Sequence, residues 1–315
     1  MSKKIAFLFP GQGSQSVGMG KDLYENYECA KNVFDTADST LGKNISKICF
    51  EGPEEDLKQT VNTQPAIVTM SIAAMEALKS EINIEPDYTA GHSLGEYCAM
   101  YAAGVMPLET ALKAIQKRAD LMGSTKGGAM AAVLNASEEQ LKAGLIEGSK
   151  IGYVDVANYN SPSQVVITGD EAAVKAASDY MLQNGVRRVV PLAVSGAFHS
   201  KYMENAGKEF ASFVSNLDLN NASIPVITNV DAEETTESED FRRKMPQQIY
   251  SSVHWTQTIE KMVSEGVEIF IEIGPGKVLA GLNKKIAPDA VVYNVYDKAS
   301  LDAAVSALSE LMAGV

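Results

Sequence analysis

An α/β fold built on a largely parallel sheet is what this 315-residue chain predicts, and three features of its sequence predict it. Strand-like apolar runs alternate with helical patterns almost throughout, as a parallel sheet with crossover helices requires. Residues 127–193 break that rhythm with the order β-α-β-β-α-β, the order of a ferredoxin-like unit. Gly91-His92-Ser93-Leu94-Gly95 carries the small-residue spacing of a sharp strand-to-helix turn. With 45% hydrophobic residues, the chain can bury a large core. The expected organisation is a discontinuous main lobe, residues 1–126 and 194–315, with 127–193 inserted as a small subdomain. A cleft between two such lobes is a usual place for a substrate.

In chain order, KIAFLF reads as the first buried strand, and residues 18–38 read as one amphipathic helix through Leu23, Tyr27, Ala30, Val33 and Phe34. TQPAIVTMSIAAMEALKS is apolar enough for a central helix. PDYTA is a short strand before the Ser93 turn, and LGEYCAMYAAG is an apolar helix that Gly104 ends. MPLETALKAIQKRADLM follows as a helix, with Pro107 suited to its first turn. Within the insert, AMAAVLN, GYVDVANYN, SQVVITG and VRRVVPLAV are strands, while SEEQLKAGL and DEAAVKAASDYMLQNG are helices. EIFIEIG and AVVYNVY are late strands of the main lobe, and LDAAVSALSELMAG closes it as a helix.

Composition excludes several classes. There are 27 basic and 40 acidic residues, a net charge of −13, which argues against general nucleic-acid binding. No apolar run reaches the ~18 residues of a membrane span. The run IAFLF before Pro10 is too short for the apolar region of a secretory signal. The three cysteines, Cys29, Cys49 and Cys98, lack paired spacing, so neither a disulfide framework nor a thiolate metal site is expected. A reducing cytoplasm fits this usage.

Ser93 is either a nucleophile lifted by the turn or a surface serine at a glycine-rich junction. A serine hydroxyl needs a neighbouring base, and only three histidines are present. His92 adjoins Ser93 on the turn, so its side chain should diverge. His254 stands at a helix entry. His199, in VSGAFHSKYM, lies where the insert returns to the main lobe, facing the nucleophile; the bland alternative is a satisfied buried histidine. No carboxylate between Ser93 and His199 sits in an obvious post-strand loop, so a main-chain or amide oxygen is a plausible orienter of the imidazole. FPGQGSQSVG, residues 9–18, is a poor dinucleotide fingerprint because Ser16 stands where the third glycine belongs. Its small residues instead expose peptide N–H groups suited to an oxyanion, as do the first N–H groups after Ser93.

Together, FPGQGSQ, TQPAI, GHSLGEY, the arginine of IQKRADLM, ANYNSPSQVVITG, GAFHS, QIYSSVHW and EIGPGKVLAGL resemble the malonyl-CoA:acyl carrier protein transacylase family of bacterial fatty-acid synthesis, over essentially the whole chain. The resemblance implies a hydrolase-like core with a ferredoxin-like insert. It also implies roles: Ser93 as the acylated nucleophile, His199 as its base, Arg118 as the partner of the malonyl carboxylate, and Gln12 and Leu94 as sources of oxyanion N–H groups. Gln248 resembles the residue whose main-chain oxygen orients the histidine, and Asn160 a cleft-lining polar residue. Ser252 and His254 depart from the proline and glutamine common in relatives, without touching a proposed role. The implied reaction is ping-pong transfer of malonyl from coenzyme A to Ser93 and then to a carrier protein's phosphopantetheine thiol, with no metal or redox cofactor. Alternatives are an acyltransferase of a polyketide pathway, a serine hydrolase of acyl thioesters and a non-catalytic scaffold.

Three further expectations accompany this resemblance. Arg118 adjoins the apolar face of its helix, beside Ile115 and Met122, while Lys117 points about 100° away. A cation so placed needs an anion, either a permanent Asp or Glu or the substrate's carboxylate. Phe198, immediately before the base, and Leu94, immediately after the nucleophile, are expected to limit the acyl 2-position. Lys277, Lys284 and Lys285, with Arg187 and Arg188, are candidates for a basic docking patch.

Overall fold

The computed structural model describes residues 3–194 and 196–314. Its main sheet contains β1 (Lys4–Phe9), β2 (Tyr88–Gly91), β7 (Val226–Ile227), β8 (Glu234–Thr235), β9 (Val267–Ile273) and β10 (Val291–Val295). Their order is β10-β9-β1-β2-β7-β8, and every neighbouring pair is parallel except β7 and β8. Alternation along β1 explains the layers on both faces. Phe7 and Phe9 join the core formed with helices Thr60–Glu81 and Leu108–Ser124, whereas Ala6 and Leu8 join the one formed with Trp255–Ser264 and Val278–Ile286. All four strand residues are fully buried.

The second sheet contains β3 (Ala129–Leu134), β4 (Val154–Ser161), β5 (Gln164–Gly169) and β6 (Arg188–Pro191), in the order β4-β5-β3-β6 and antiparallel throughout. Ala131 and Val133 face its own helices, Glu138–Ser149 and Glu171–Gln183, while Met130 and Ala132 face the main core. The chain leaves and returns at Gly127 and Gly196, which form a bridge. The sheet is therefore clamped between its helices and the main lobe.

Two local expectations need correction. The single helix expected over residues 18–38 is two helices, Lys21–Asn26 and Glu28–Leu41, separated by an extended Tyr27. Asp22 accepts the Lys298 N–H at 2.7 Å, fixing the shorter helix against the start of the last one. Tertiary anchoring thus overrides a periodicity that runs through the break. Pro107 is the extended N-cap of Leu108–Ser124 and does not enter its first turn.

Candidate active site

The carboxyl ends of adjacent parallel strands are where α/β sheets bind ligands, and the Ser93 turn leaves the sheet at that edge. His92 N–H donates to Phe9 O at 2.9 Å, tying the turn to the end of β1. The motif's glycines are dictated by close approach. A Cβ on Gly91 would run into the Gly95 backbone, and one on Gly95 into the backbone of Phe9. Ser93 itself has φ 51°, the left-handed region that is costly for a residue with a Cβ. His199 has φ 53°. Such backbone costs about 1–3 kcal/mol per residue and persists where surrounding contacts over-determine it.

Those two residues meet. Ser93 Oγ lies 2.8 Å from His199 Nε2, across 106 positions of sequence. His199 Nδ1 lies 2.9 Å from Gln248 O and 3.1 Å from Ser251 O. A carbonyl only accepts, so Nδ1 carries the proton and Nε2 is left as the acceptor facing Ser93. Local folding supplies these carbonyls. Helix Ser238–Tyr250 ends in extended Ser251, because Val253 pairs with β4 through Val253 N–H to Ala157 O and Tyr159 N–H to Val253 O. The helix's last carbonyls are released from the helical ladder and pair with the imidazole. Burial, then the neighbouring Arg118 cation, holds the His199 pKa down to about 3.

Arg118 is 1% exposed and completes the cluster. Nη2 donates to Ser93 Oγ and to Gln248 Oε1, both at 3.0 Å, and Nη1 donates to Gln64 Oε1 at 2.6 Å. Among the described residues it has no carboxylate within salt-bridge distance, and its buried Nε has no hydrogen-bond partner. Gln248 thus acts three times: its main-chain oxygen holds His199, its Oε1 accepts from Arg118, and its Nε2 donates to Ser93 O at 2.8 Å.

Other expected residues lie at varied removes. Asn160, on β4, accepts from His92 Nε2 at 2.8 Å and makes no bond to Ser93, while the His92 ring packs against Trp255. His92 therefore diverges from Ser93. His254 caps Trp255–Ser264 and stacks on Tyr159, and Ser252 Oγ donates to Val156 O at 2.6 Å. Leu94 and Phe198 are buried members of the main apolar core. The Gln12 side chain is exposed on the turn after β1. The five basic candidates for docking are all exposed, and Lys277 lies over the Tyr296 ring.

Residues that sequence reasoning missed complete the frame: Gln64 beneath Arg118, Ser251 beside His199, and Asn229 and Glu96 around the turn. Burial raises the Glu96 carboxyl to about 7, against the N–H of Asn229 and the Arg118 charge, which favour its ionised form. TQPAI and GHSLGEY displayed Gln64 and Glu96, but residue order gave no account of their partners. Among the described residues, no group of three or more His, Cys, Asp or Glu could hold a metal.

A buried arginine, a serine and an imidazole in contact at a strained turn suit acyl transfer, and residues 6–295 match the family described as the acyl transferase domain. The chain belongs to the acyl transferase family. This acyl transferase is 45% identical over 311 residues to malonyl CoA-acyl carrier protein transacylase of Bacillus subtilis, covering 98% of each chain. It superposes on the crystal structure of an acyl carrier protein S-malonyltransferase from Vibrio cholerae with a TM-score of 0.92 at 40% identity, covering 96% of this chain and 99% of that one. A second similar structure holds a type II PKS acyl-carrier protein in complex with its malonyl-transacylase. Its TM-score is 0.93 at 35% identity, covering 96% of this chain and 99% of that one.

Proposed function

We propose that this acyl transferase moves malonyl from malonyl-CoA to the phosphopantetheine thiol of acyl carrier protein through an ester on Ser93, supplying fatty-acid synthesis. The observation that carries the reading is Arg118: a buried guanidinium 3.0 Å from Ser93 Oγ that, among the described residues, has no carboxylate within salt-bridge distance, Glu96 acting on it only from farther off. A buried cation is expensive unless an anion meets it. The free carboxylate of malonyl supplies one, in the planar two-pronged geometry that guanidinium recognises. A hydrolase of neutral acyl thioesters has no use for that group.

The geometry supports the following steps. His199 Nε2 takes the Ser93 hydroxyl proton as Oγ attacks the thioester carbonyl. The charge on the tetrahedral oxygen falls to backbone N–H groups. Ser93 N–H already donates to Asn229 Oδ1 at 2.8 Å, so the role passes to Leu94, joined by Gln12 as the family resemblance implies. Collapse breaks the carbon–sulfur bond, and the coenzyme A sulfur leaves with the proton held on His199. In the second half, His199 takes the proton of the carrier's thiol. Its sulfur attacks the Ser93 ester, and the proton returns to Ser93 Oγ. Gln248 O and Ser251 O hold the imidazole throughout. Each step uses this chain's own groups and the two thioesters, with no metal or redox cofactor.

We also take residues 127–193 as a subdomain inserted in a core of 1–126 and 194–315. The Gly127–Gly196 bridge and the separate apolar cluster beneath β3–β6 support that division. Among the described residues no helix is long and apolar enough to cross a membrane. With Cys29, Cys49 and Cys98 all free, we place the enzyme in the cytoplasm.

Incubation with radiolabelled malonyl-CoA tests the function. Label should enter the protein in the absence of carrier protein and leave for the carrier when it is added. Release to water at the same rate in both cases would make the enzyme a hydrolase.

A further inference from the structure

The Ser93 turn is held by a residue far from it in sequence. Asn229 follows β7, which pairs in parallel with β2 in the register Thr89 to Val226. That register sets Asn229 beside the end of β2, and its amide grips both sides of the turn. Oδ1 accepts the N–H of Ser93 at 2.8 Å, and Nδ2 donates to the carbonyl of Gly91 at 2.8 Å. Asn229 is fully buried and is fixed in turn by its own backbone. Its N–H donates to Glu96 Oε2 at 2.6 Å, and its carbonyl accepts His254 N–H at 3.1 Å. Glu96 lies on the helix that the turn begins, so the loop of contacts closes on itself.

We propose that Asn229 is a positioning residue for acyl transfer, holding Ser93 in its left-handed conformation so that Oγ reaches His199 and Arg118 together. The inference rests on the reading of Ser93 as the acylated residue. Left-handed backbone at a serine relaxes unless neighbours oppose it, and Asn229 holds the peptide that precedes Ser93 through its N–H and the peptide before that through the Gly91 carbonyl. Gln248 restrains the Ser93 carbonyl on the other side. Asn229 also occupies the Ser93 N–H, which decides that the oxyanion must be met by the next amide. Neither effect touches substrate binding at Arg118, so the loss should fall on the chemical step.

Single-turnover acylation by malonyl-CoA, read by mass spectrometry, tests this in Ser93→Ala, Asn229→Ala and Asn229→Asp. A displacement of about 1 Å at a reacting group costs on the order of 100-fold. Asn229→Ala should therefore slow acylation by about that factor while KM for malonyl-CoA stays near native. Asn229→Asp keeps the size and the acceptor for Ser93 but loses the donor to Gly91. It should slow acylation roughly tenfold, equivalent to one such bond in the barrier. Adduct in Ser93→Ala would remove the nucleophile, and the inference with it. Loss of adduct there, with native acylation in a folded Asn229→Ala, would overturn the positioning role alone. So would a change in KM with the maximal rate preserved. If Asn229→Ala fails to fold, a native rate in Asn229→Asp overturns it equally.

Discussion

Arg118 Nη2 and Ser93 Oγ lie 3.0 Å apart within the protein, while Ser93 Oγ also meets His199 Nε2 at 2.8 Å. One oxygen thus touches both the group that would take its proton and the group that would read the acyl chain. In the proposed mechanism specificity and chemistry share a single atom. An acyl group whose carboxylate pairs with Arg118 brings its thioester carbon to Ser93, and a neutral acyl group lacks that anchor.

In the proposed mechanism the covalent step depends on the Ser93–His199 pair. Ser93→Ala should form no malonyl adduct detectable by mass spectrometry. His199→Ala should acylate slower by several orders of magnitude, because nucleophile and base act as a unit. An adduct persisting in Ser93→Ala would assign the acyl group elsewhere.

Activity should survive acidification further than an ordinary histidine would permit. Burial and Arg118 hold His199 down to about 3, so the base form persists as pH falls. The acylation rate should stay nearly flat between about pH 8 and about pH 5, where an unperturbed imidazole would be largely protonated. The linked stability has a definite sign. An unfolded His199 binds its proton near pH 6.5, while the folded one does not until about 3. Its contribution is full above 6.5 and is lost as pH falls through that window. An acylation profile with its acid limb centred at 6.5 would contradict the burial argument.

Much of this site was legible in order of residues, and the remainder was not, for a physical reason. The Ser93 turn declares itself because glycine spacing is a local steric requirement. Arg118 showed as a cation beside an apolar helical face. His199 stood out among only three histidines. By contrast, the partners of Gln64, Asn229 and Glu96 depend on bonds spanning 54 to 138 positions, which no local pattern encodes. The break at Tyr27 was hidden likewise, since the apolar spacing continues through it and the anchor lies at Lys298.

Phe198 and Leu94 flank His199 and Ser93, and both are tightly packed. If they wall the acyl pocket as proposed, an added methyl at the acyl 2-position would press on one of them. Methylmalonyl-CoA should acylate Ser93 about 10- to 200-fold more slowly than malonyl-CoA. Equal rates for the two thioesters would show that Phe198 serves the core and not the pocket.

Helix Val278–Ile286 begins beside the Gln12 loop, with Gly276 close to Ser14, and carries the exposed Lys284 and Lys285. At a net charge of −13, meeting a carrier protein of like charge would need such local complementarity. Reversing both charges to Glu should slow transfer to the carrier while leaving acylation by malonyl-CoA intact. Equal losses in both half-reactions, or none, would place docking elsewhere.

If the carboxylate of malonyl completes the pairing of Arg118, the ratio of malonyl to acetyl transfer depends on that one side chain. Arg118→Ala should remain folded, with a melting temperature near native. It should lose most malonyl transfer, and keep or gain acetyl transfer. Arg118→Lys should restore little, because an ammonium cannot offer the same two-pronged contact. A folded Arg118→Ala enzyme that still prefers malonyl over acetyl by the native ratio would rule out that pairing.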